Sequence, residues 1–138
     1  MGYVEPSEDE LRQIYADTKT IATVGASTDD SKPAHYIPEY LARVGFQVIP
    51  VNPSAEQIWG VKAYPRLEDV PVDVDAVQVF RPSEEAPGVA RSAVAIGART
   101  LWMQEGVYSD EAFQIATDAG LKVVMDRCMG TTHRYLFG

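Results

Sequence analysis

The side chains best suited by type to hold a ligand lie in one stretch, Thr20-Ile-Ala-Thr-Val-Gly-Ala-Ser-Thr-Asp-Asp-Ser-Lys-Pro-Ala34. Thr20 to Val24 is a β-branched run with the composition of a buried parallel strand, and Gly25 lets the chain turn sharply after it. Past the glycine come Ala26, two hydroxyls (Ser27, Thr28) and one cation (Lys32). Pro33 follows at a first helical position, where its missing N–H does no harm. Strand, small-residue turn and helix N-terminus together hold a phosphate, because free amides and the positive end of the helix dipole converge on the turn. The plainer alternative is an ordinary strand-to-helix turn, and one glycine does not separate the two.

Other reactive side chains are few. The histidines are His35 and His133 and the single cysteine is Cys128. His35 opens a helix and reads as a surface or capping residue, although a phosphate is within its chemistry. His133 has no serine or acidic partner of triad type and is assigned no catalytic role. Cys128 beside Arg127 has a neighbour that favours the thiolate, yet it reads first as a small packing residue at a sheet edge. Glu105, next to Gln104, has no sequence partner for general-base work and reads as a polar wall. No His/Cys/Asp/Glu spacing points to a metal. Trp102 and Trp59 read as packing residues, with Trp59 in an irregular loop also able to border a ligand or partner.

The elements that must position these residues follow from periodicity. Ser7 caps a helix over 8–17, with Leu11, Ile14 and Tyr15 on one face. A helix over 33–44 carries Tyr36, Ile37, Tyr40, Leu41 and Val44 at helical spacing, and Gly45 stops it. Strands are expected at 20–24, 46–51, 75–80, 100–103 and 121–125, with a brief one at 61–64. A helical piece is expected at 55–58 and a helical turn at 67–70. Ser83 and Ser109 are expected to cap further helices, and the tail 126–138 shows no strong periodicity. Strands alternating with helices predict an α/β fold, a three-layer doubly wound, mostly parallel sheet of five to six strands. In such a sheet ligands bind beyond the carboxyl ends of the strands. The candidate site is therefore Gly25 to Thr28, Asn52-Pro53, Phe80-Arg81-Pro82, Gln104-Glu105-Gly106 and Asp126-Arg127-Cys128.

The chain has 138 residues, enough for one domain with a full core. Its net charge of −8 argues against binding nucleic acid or anionic membrane through the overall field, so an anionic ligand must be met by local cations and amides. No apolar run approaches a membrane span, the N-terminus lacks a secretory pattern, and one cysteine excludes an internal disulfide; a cytoplasmic location is expected. The usual dinucleotide fingerprint needs G-x-G-x-x-G and an acidic residue ending the second strand. Here one glycine stands in the turn and Asn52-Pro53 ends the strand, which disfavours NAD(P) and an oxidoreductase role.

Seven pieces occur in order: Val24-Gly-Ala-Ser27, Ser31-Lys-Pro-Ala34, Val48-Ile-Pro-Val-Asn-Pro53, Gly60-Val-Lys-Ala-Tyr-Pro65, Phe80-Arg-Pro82, Trp102-Met-Gln-Glu-Gly106 and Val124-Met-Asp-Arg-Cys128. With them the chain resembles the stand-alone CoA-binding proteins, relatives of the amino-terminal CoA-binding domain of the succinyl-CoA synthetase alpha subunit. The resemblance implies a Rossmann-like fold with coenzyme A or an acyl-CoA across the carboxyl edge of the sheet. It places the pyrophosphate at Gly25, Ala26 and Ser27, the nucleotide end at Asn52-Pro53, the cofactor wall at Phe80-Arg81-Pro82 and the pantetheine nearer Gln104-Glu105-Gly106. Lys32 and Arg81 are the expected phosphate cations, with Lys62 a third choice. In the synthetase the phosphorylated histidine lies in a following domain, whereas this sequence ends at Gly138, so a carrier, sensor or regulatory role without catalysis is expected. The alternative within this ligand class is a small acyl-CoA-handling enzyme using Glu105 or Cys128, or a mixed disulfide between Cys128 and the CoA thiol. A homodimer or protein partner is compatible with the sequence. Replacing Gly25 with a bulky β-branched residue is expected to abolish binding without unfolding the chain.

Overall fold

The computed structural model describes residues 2–138. Helix α1 (Glu8–Ala16) is started by a capping box: Ser7 Oγ accepts the Glu10 amide at 3.1 Å and the Glu10 carboxylate accepts the Ser7 amide at 2.9 Å. Strand β1 (Thr20–Val24), helix α2 (Pro33–Arg43) and strand β2 (Gln47–Val51) follow close to their expected bounds.

The stretch expected to be helical at 55–58 is instead strand β3 (Gln57–Ile58), paired antiparallel with β4 (Val61–Lys62). Trp59 and Gly60 turn the hairpin with φ of 56° and 73°. Two positive-φ residues make the turn that matches strand twist, and this outweighs a short helical pattern. Trp59 is held there by its indole N–H, which donates to the His35 carbonyl at 2.9 Å. The brief strand expected at 61–64 is thus outside the main sheet, joined to it only by a bridge from Tyr64 to Val51.

Strand β5 (Ala76–Val79), helix α3 (Ala86–Ala95), strand β6 (Thr100–Met103), helix α4 (Asp110–Asp118) and strand β7 (Lys122–Val124) complete the alternation. Ser109 caps α4 as expected, but Ser83 caps nothing: a 3-10 turn over 83–85 precedes α3, and Ser83 Oγ accepts the Tyr108 amide at 2.9 Å. The main sheet has five parallel strands in the order β2-β1-β5-β6-β7. One face packs Ile21, Ala76, Trp102 and Val124 against α1 and α2, and the other packs Val77, Leu101 and Met103 against α3 and α4. This is the doubly wound, Rossmann-like architecture the alternation predicts.

The tail is the main correction. Residues Met129–Phe137 form helix α5, on the α1 and α2 face. Its inward positions include Met129, Gly130 and Thr132, so no apolar stripe announces it. Small size serves instead: a Cβ on Gly130 would stand 3.0 Å from Ile37 Cγ2, which puts α5 tight against α2. The Tyr15 hydroxyl ties it to α1, donating to the Met129 carbonyl at 2.6 Å. His133 sits among the rings of Tyr15, Tyr40, Phe46 and Phe137 at centroid distances of 5.3, 5.8, 5.7 and 5.0 Å, with Nδ1 3.0 Å from the Tyr40 hydroxyl.

Burial lowers the pKa of His133 below its ordinary value. The neutral ring is favoured in the folded chain, so as pH falls through about 6.5 the unfolded chain gains a proton that the folded chain resists. Stability is therefore unaffected by this group above that pH and declines below it. Urea midpoints measured from pH 7.5 to pH 5.5 should fall for the natural protein and fall less for His133→Phe; parallel curves would refute this.

Candidate functional site

Chain connection runs from β1 to β2 on one side and then returns to β5 on the other, so the strand order reverses between β1 and β5. Parallel sheets open a crevice at that reversal. Gly25 stands at its edge with φ of +89°, and a Cβ there would lie 2.4 Å from the Phe80 carbonyl oxygen and 2.8 Å from Arg81 Cδ. Glycine is required twice over, by backbone conformation and by space. The Gly25 amide donates to the Val51 carbonyl at 3.0 Å and the Phe80 amide to the Val24 carbonyl at 2.9 Å, which draws three strand ends together.

The turn beyond Gly25 is internally braced. The Ser27 amide donates to the Ala34 carbonyl at 3.1 Å, and Ser27 Oγ accepts the Asp29 amide at 3.0 Å. His35 Nδ1 lies 2.7 Å from the Ser27 carbonyl oxygen, so Nδ1 carries the proton and the ring braces the turn. Asn52 Nδ2 donates to the Ala26 carbonyl at 2.9 Å, while Asn52 Oδ1 accepts the amides of Ser54 and Ala55 at 2.8 and 3.0 Å. Asn52 thus clamps the end of β2 to the turn. Among the described residues, no acceptor takes the amides of Ala26 or Thr28. Lys32 is the N-cap residue of α2, is exposed, and joins no ion pair among those residues.

The other candidates divide among separate clefts. A cleft of about 440 Å³ on the α2 and α5 face brings together Lys32, Ile37, Phe80, Gln104, Glu105 and Cys128. A second, of about 710 Å³ on the α3 face, runs from the ends of β1 and β2 (Val24, Val51) past Leu67 to Val89. Asn52, Pro53 and Lys62 line a third, of about 820 Å³, along the hairpin, where Lys62 Nζ lies 5.2 Å from the Tyr64 ring centroid.

Arg81 is not a free cation: its Nε and Nη2 donate to both oxygens of Glu85 at 3.0 and 2.8 Å, which holds the Glu85 carboxyl below the usual carboxylate range. Pro82 is exposed beside it. The Gly106 amide donates to Asp126 Oδ1 at 2.7 Å, joining the loops after β6 and β7. Arg127 pairs with Glu5 and with Thr132 Oγ1, so it too is occupied. Cys128 caps α5, its Sγ accepting from the Thr131 amide at 3.5 Å and hydroxyl at 3.3 Å, and it is half-exposed at the cleft wall. Glu105 is exposed beside it. Among the described residues no group of His, Cys, Asp and Glu is arranged to hold a metal.

One feature was missed in the sequence. Thr23, Gln78 and Gln104, with 0%, 0% and 3% exposure, form a buried polar chain under the cleft. Thr23 Oγ1 donates to Gln78 Oε1 at 2.7 Å, and Gln78 Nε2 donates to Gln104 Oε1 at 3.1 Å. The Met129 amide donates to the same Gln104 oxygen at 2.9 Å. The available signal was Gln78 itself, a lone polar residue inside the apolar run Ala76-Val-Gln-Val-Phe80.

A family model described as a CoA binding domain matches residues 19–134. The chain is 36% identical over 128 residues to uncharacterized protein YneT of Bacillus subtilis, covering 93% of this chain and 95% of that one. It is 31% identical over 104 residues to acetate–CoA ligase [ADP-forming] II of Archaeoglobus fulgidus, matching 74% of this chain and 15% of the ligase. Among solved structures, a hypothetical protein from Pyrococcus horikoshii superposes with a TM-score of 0.94 at 34% identity, over 100% of both chains.

The Gly25 geometry corrects the expectation that a β-branched residue there leaves folding intact. A side chain meeting a backbone carbonyl at 2.4 Å forces the ends of β1 and β5 apart. Gly25→Ala should lower stability by about 2–4 kcal/mol, from strain and overpacking together. Thr28→Ala, on the exposed side of the same turn, should change it by less than about 0.5 kcal/mol. Equal urea midpoints for the two variants would overturn this.

Proposed function

The chain belongs to the CoA-binding domain family, and from that premise we propose that it binds coenzyme A or an acyl-CoA across the carboxyl edge of its sheet as a carrier, sensor or regulator. The observation that carries this is the Gly25 turn. It lies at the strand-order reversal, within the matched segment, with the amides of Ala26 and Thr28 taking no acceptor among the described residues and the exposed cation Lys32 at the start of α2. An anion at such a turn is stabilised by the amides and by the positive end of the α2 dipole. In this proposal the turn and Lys32 take the pyrophosphate, the Asn52-Pro53 side borders the nucleotide, and Phe80 and Gln104-Glu105-Gly106 face the pantetheine. Arg81 contributes to phosphate binding only by exchanging Glu85 for the ligand.

A holding role fits the side chains better than catalysis does. His35 bonds the Ser27 carbonyl rather than its hydroxyl, so Ser27 has no base. NAD(P) is disfavoured because the position after β2 carries an amide, locked to the Ala26 carbonyl, where a ribose-binding carboxylate is needed.

A second possibility is specific to Cys128. Because its thiol borders the same cleft as Lys32 and Phe80, it can attack the disulfide of oxidised CoA, forming a protein–CoA disulfide and releasing one CoA thiolate. Intact mass measured after incubation with CoA disulfide should show an adduct at Cys128; its absence would eliminate this route.

Calorimetry tests the main proposal. CoA should bind with affinity near the micromolar range and NAD should give no heat. Lys32→Ala should weaken CoA by about tenfold, the scale of one exposed charge-assisted contact to a phosphate. Binding of NAD but not CoA would overturn it.

A further inference from the structure

Resting on the CoA proposal, we infer that the Gln104 side-chain amide is a fixed hydrogen-bond donor that recognises a neutral carbonyl oxygen on the thiol-bearing arm of the ligand.

The polarity of the buried chain leaves no other orientation. The Met129 backbone N–H can only donate, so the Gln104 atom it meets must be oxygen. Gln78 must then present its own amide nitrogen to that oxygen and its carbonyl oxygen to Thr23, as observed. Gln104 Oε1 is thereby occupied by two donors and cannot exchange with Nε2. Nε2 itself meets no acceptor among the described residues. Every fully buried side-chain polar atom among those residues has a partner, so the unpaired Nε2 opens on the cleft that Gln104 lines. On a side chain 97% withdrawn from solvent, that donor is held in place with its remaining exposure at the cleft, where a ligand acceptor can replace water.

The surroundings select the class of acceptor. Ile37 and Phe80 make the cleft wall apolar, and Glu105 borders the same space. A phosphate or carboxylate placed against Gln104 would face a carboxylate and lose its hydration for a single neutral donor. Lys32, the cation of the same cleft, stands at the start of α2 beside the turn whose Ala26 and Thr28 amides take no acceptor among the described residues, so the anionic part of the ligand is met at that end. A carbonyl on an uncharged chain fits the wall and the donor together, and the pantetheine arm of CoA is joined by amide bonds that supply one.

Gln104→Glu isolates the donor. The new carboxyl group keeps oxygen where Gln78 and Met129 donate and replaces the cleft-facing N–H with an acceptor. At pH 8 the variant should bind CoA at least about tenfold more weakly than the natural protein, the scale of a lost buried hydrogen bond. Adenosine 3′,5′-bisphosphate, which lacks the arm, should bind both equally. Lowering the pH should narrow the CoA difference, because a protonated carboxyl restores a donor. Equal weakening of both ligands, or none for CoA, overturns the inference.

A second measurement needs no variant. In the natural protein, the Gln104 side-chain amide protons should shift downfield on adding CoA and stay in place on adding the nucleotide fragment. CoA bound without that shift overturns the role of Gln104 alone, whereas failure of the natural protein to bind CoA overturns the underlying proposal as well.

Discussion

The carboxyl edge of this protein depends on one close approach, the contact between the Gly25 backbone and the Phe80 carbonyl. Parallel strands side by side hold their backbones at a fixed spacing, and a side chain past the end of a strand ordinarily props the following loops apart. With no Cβ at Gly25 the loops after β1 and β5 lie against each other, and the crevice at the strand-order reversal becomes narrow and shaped. The remaining contacts serve that approach. Asn52 fastens β2 to the turn, His35 fastens α2 to it, and Asp126 joins the two outer loops through Gly106. All five sheet strands thus end in loops that are hydrogen-bonded to a neighbour, leaving few amides for a ligand.

Below that rim the sheet carries an unusual load for a parallel core. Buried polar side chains in such sheets are tolerated only when their hydrogen bonds are complete, because each unpaired group costs about 1–3 kcal/mol. The Thr23–Gln78–Gln104 chain satisfies this at every fully enclosed atom and leaves its one open valence on the cleft. Its direction originates in a backbone amide, which no rotamer can reverse. A side-chain donor at the end of a chain is usually free to flip; this one is held by the start of α5.

Much of this was legible in the sequence. The alternation of β-branched runs with helical stripes is strong over Thr20–Val24, Pro33–Arg43 and Thr100–Met103, where burial and local propensity agree. Listing the residues just past each strand reached Gly25, Phe80 and Gln104 because the carboxyl edge is a property of topology rather than of any motif. Helix α5 escaped because close packing on Ile37 demands Gly130 and Thr132 where a stripe would show large apolar residues. The hairpin over 57–62 escaped because its turn places Trp59 at positive φ, a conformation composition does not signal. Pairing was missed for two different reasons: Arg81 has its partner Glu85 four residues on, at a spacing the sequence displays, whereas only the fold brings Glu5 to Arg127.

Helix α5 also has a consequence for how the molecule assembles. Its first residues wall the cleft and supply the amide that orients Gln104, yet it is the last element of the chain. It is fastened to α1 by a hydrogen bond spanning 114 residues of sequence, from Tyr15 to Met129. Closing so long a segment costs more chain entropy than a local contact does, so the packing of α5 on α1 and α2 must repay it. The sheet and its glycine turn are built from the preceding segments, and the cleft takes its wall from the last helix. Ligand competence therefore hangs on the docking of the chain's last helix, whose release would remove the cleft wall and the amide that orients Gln104 together.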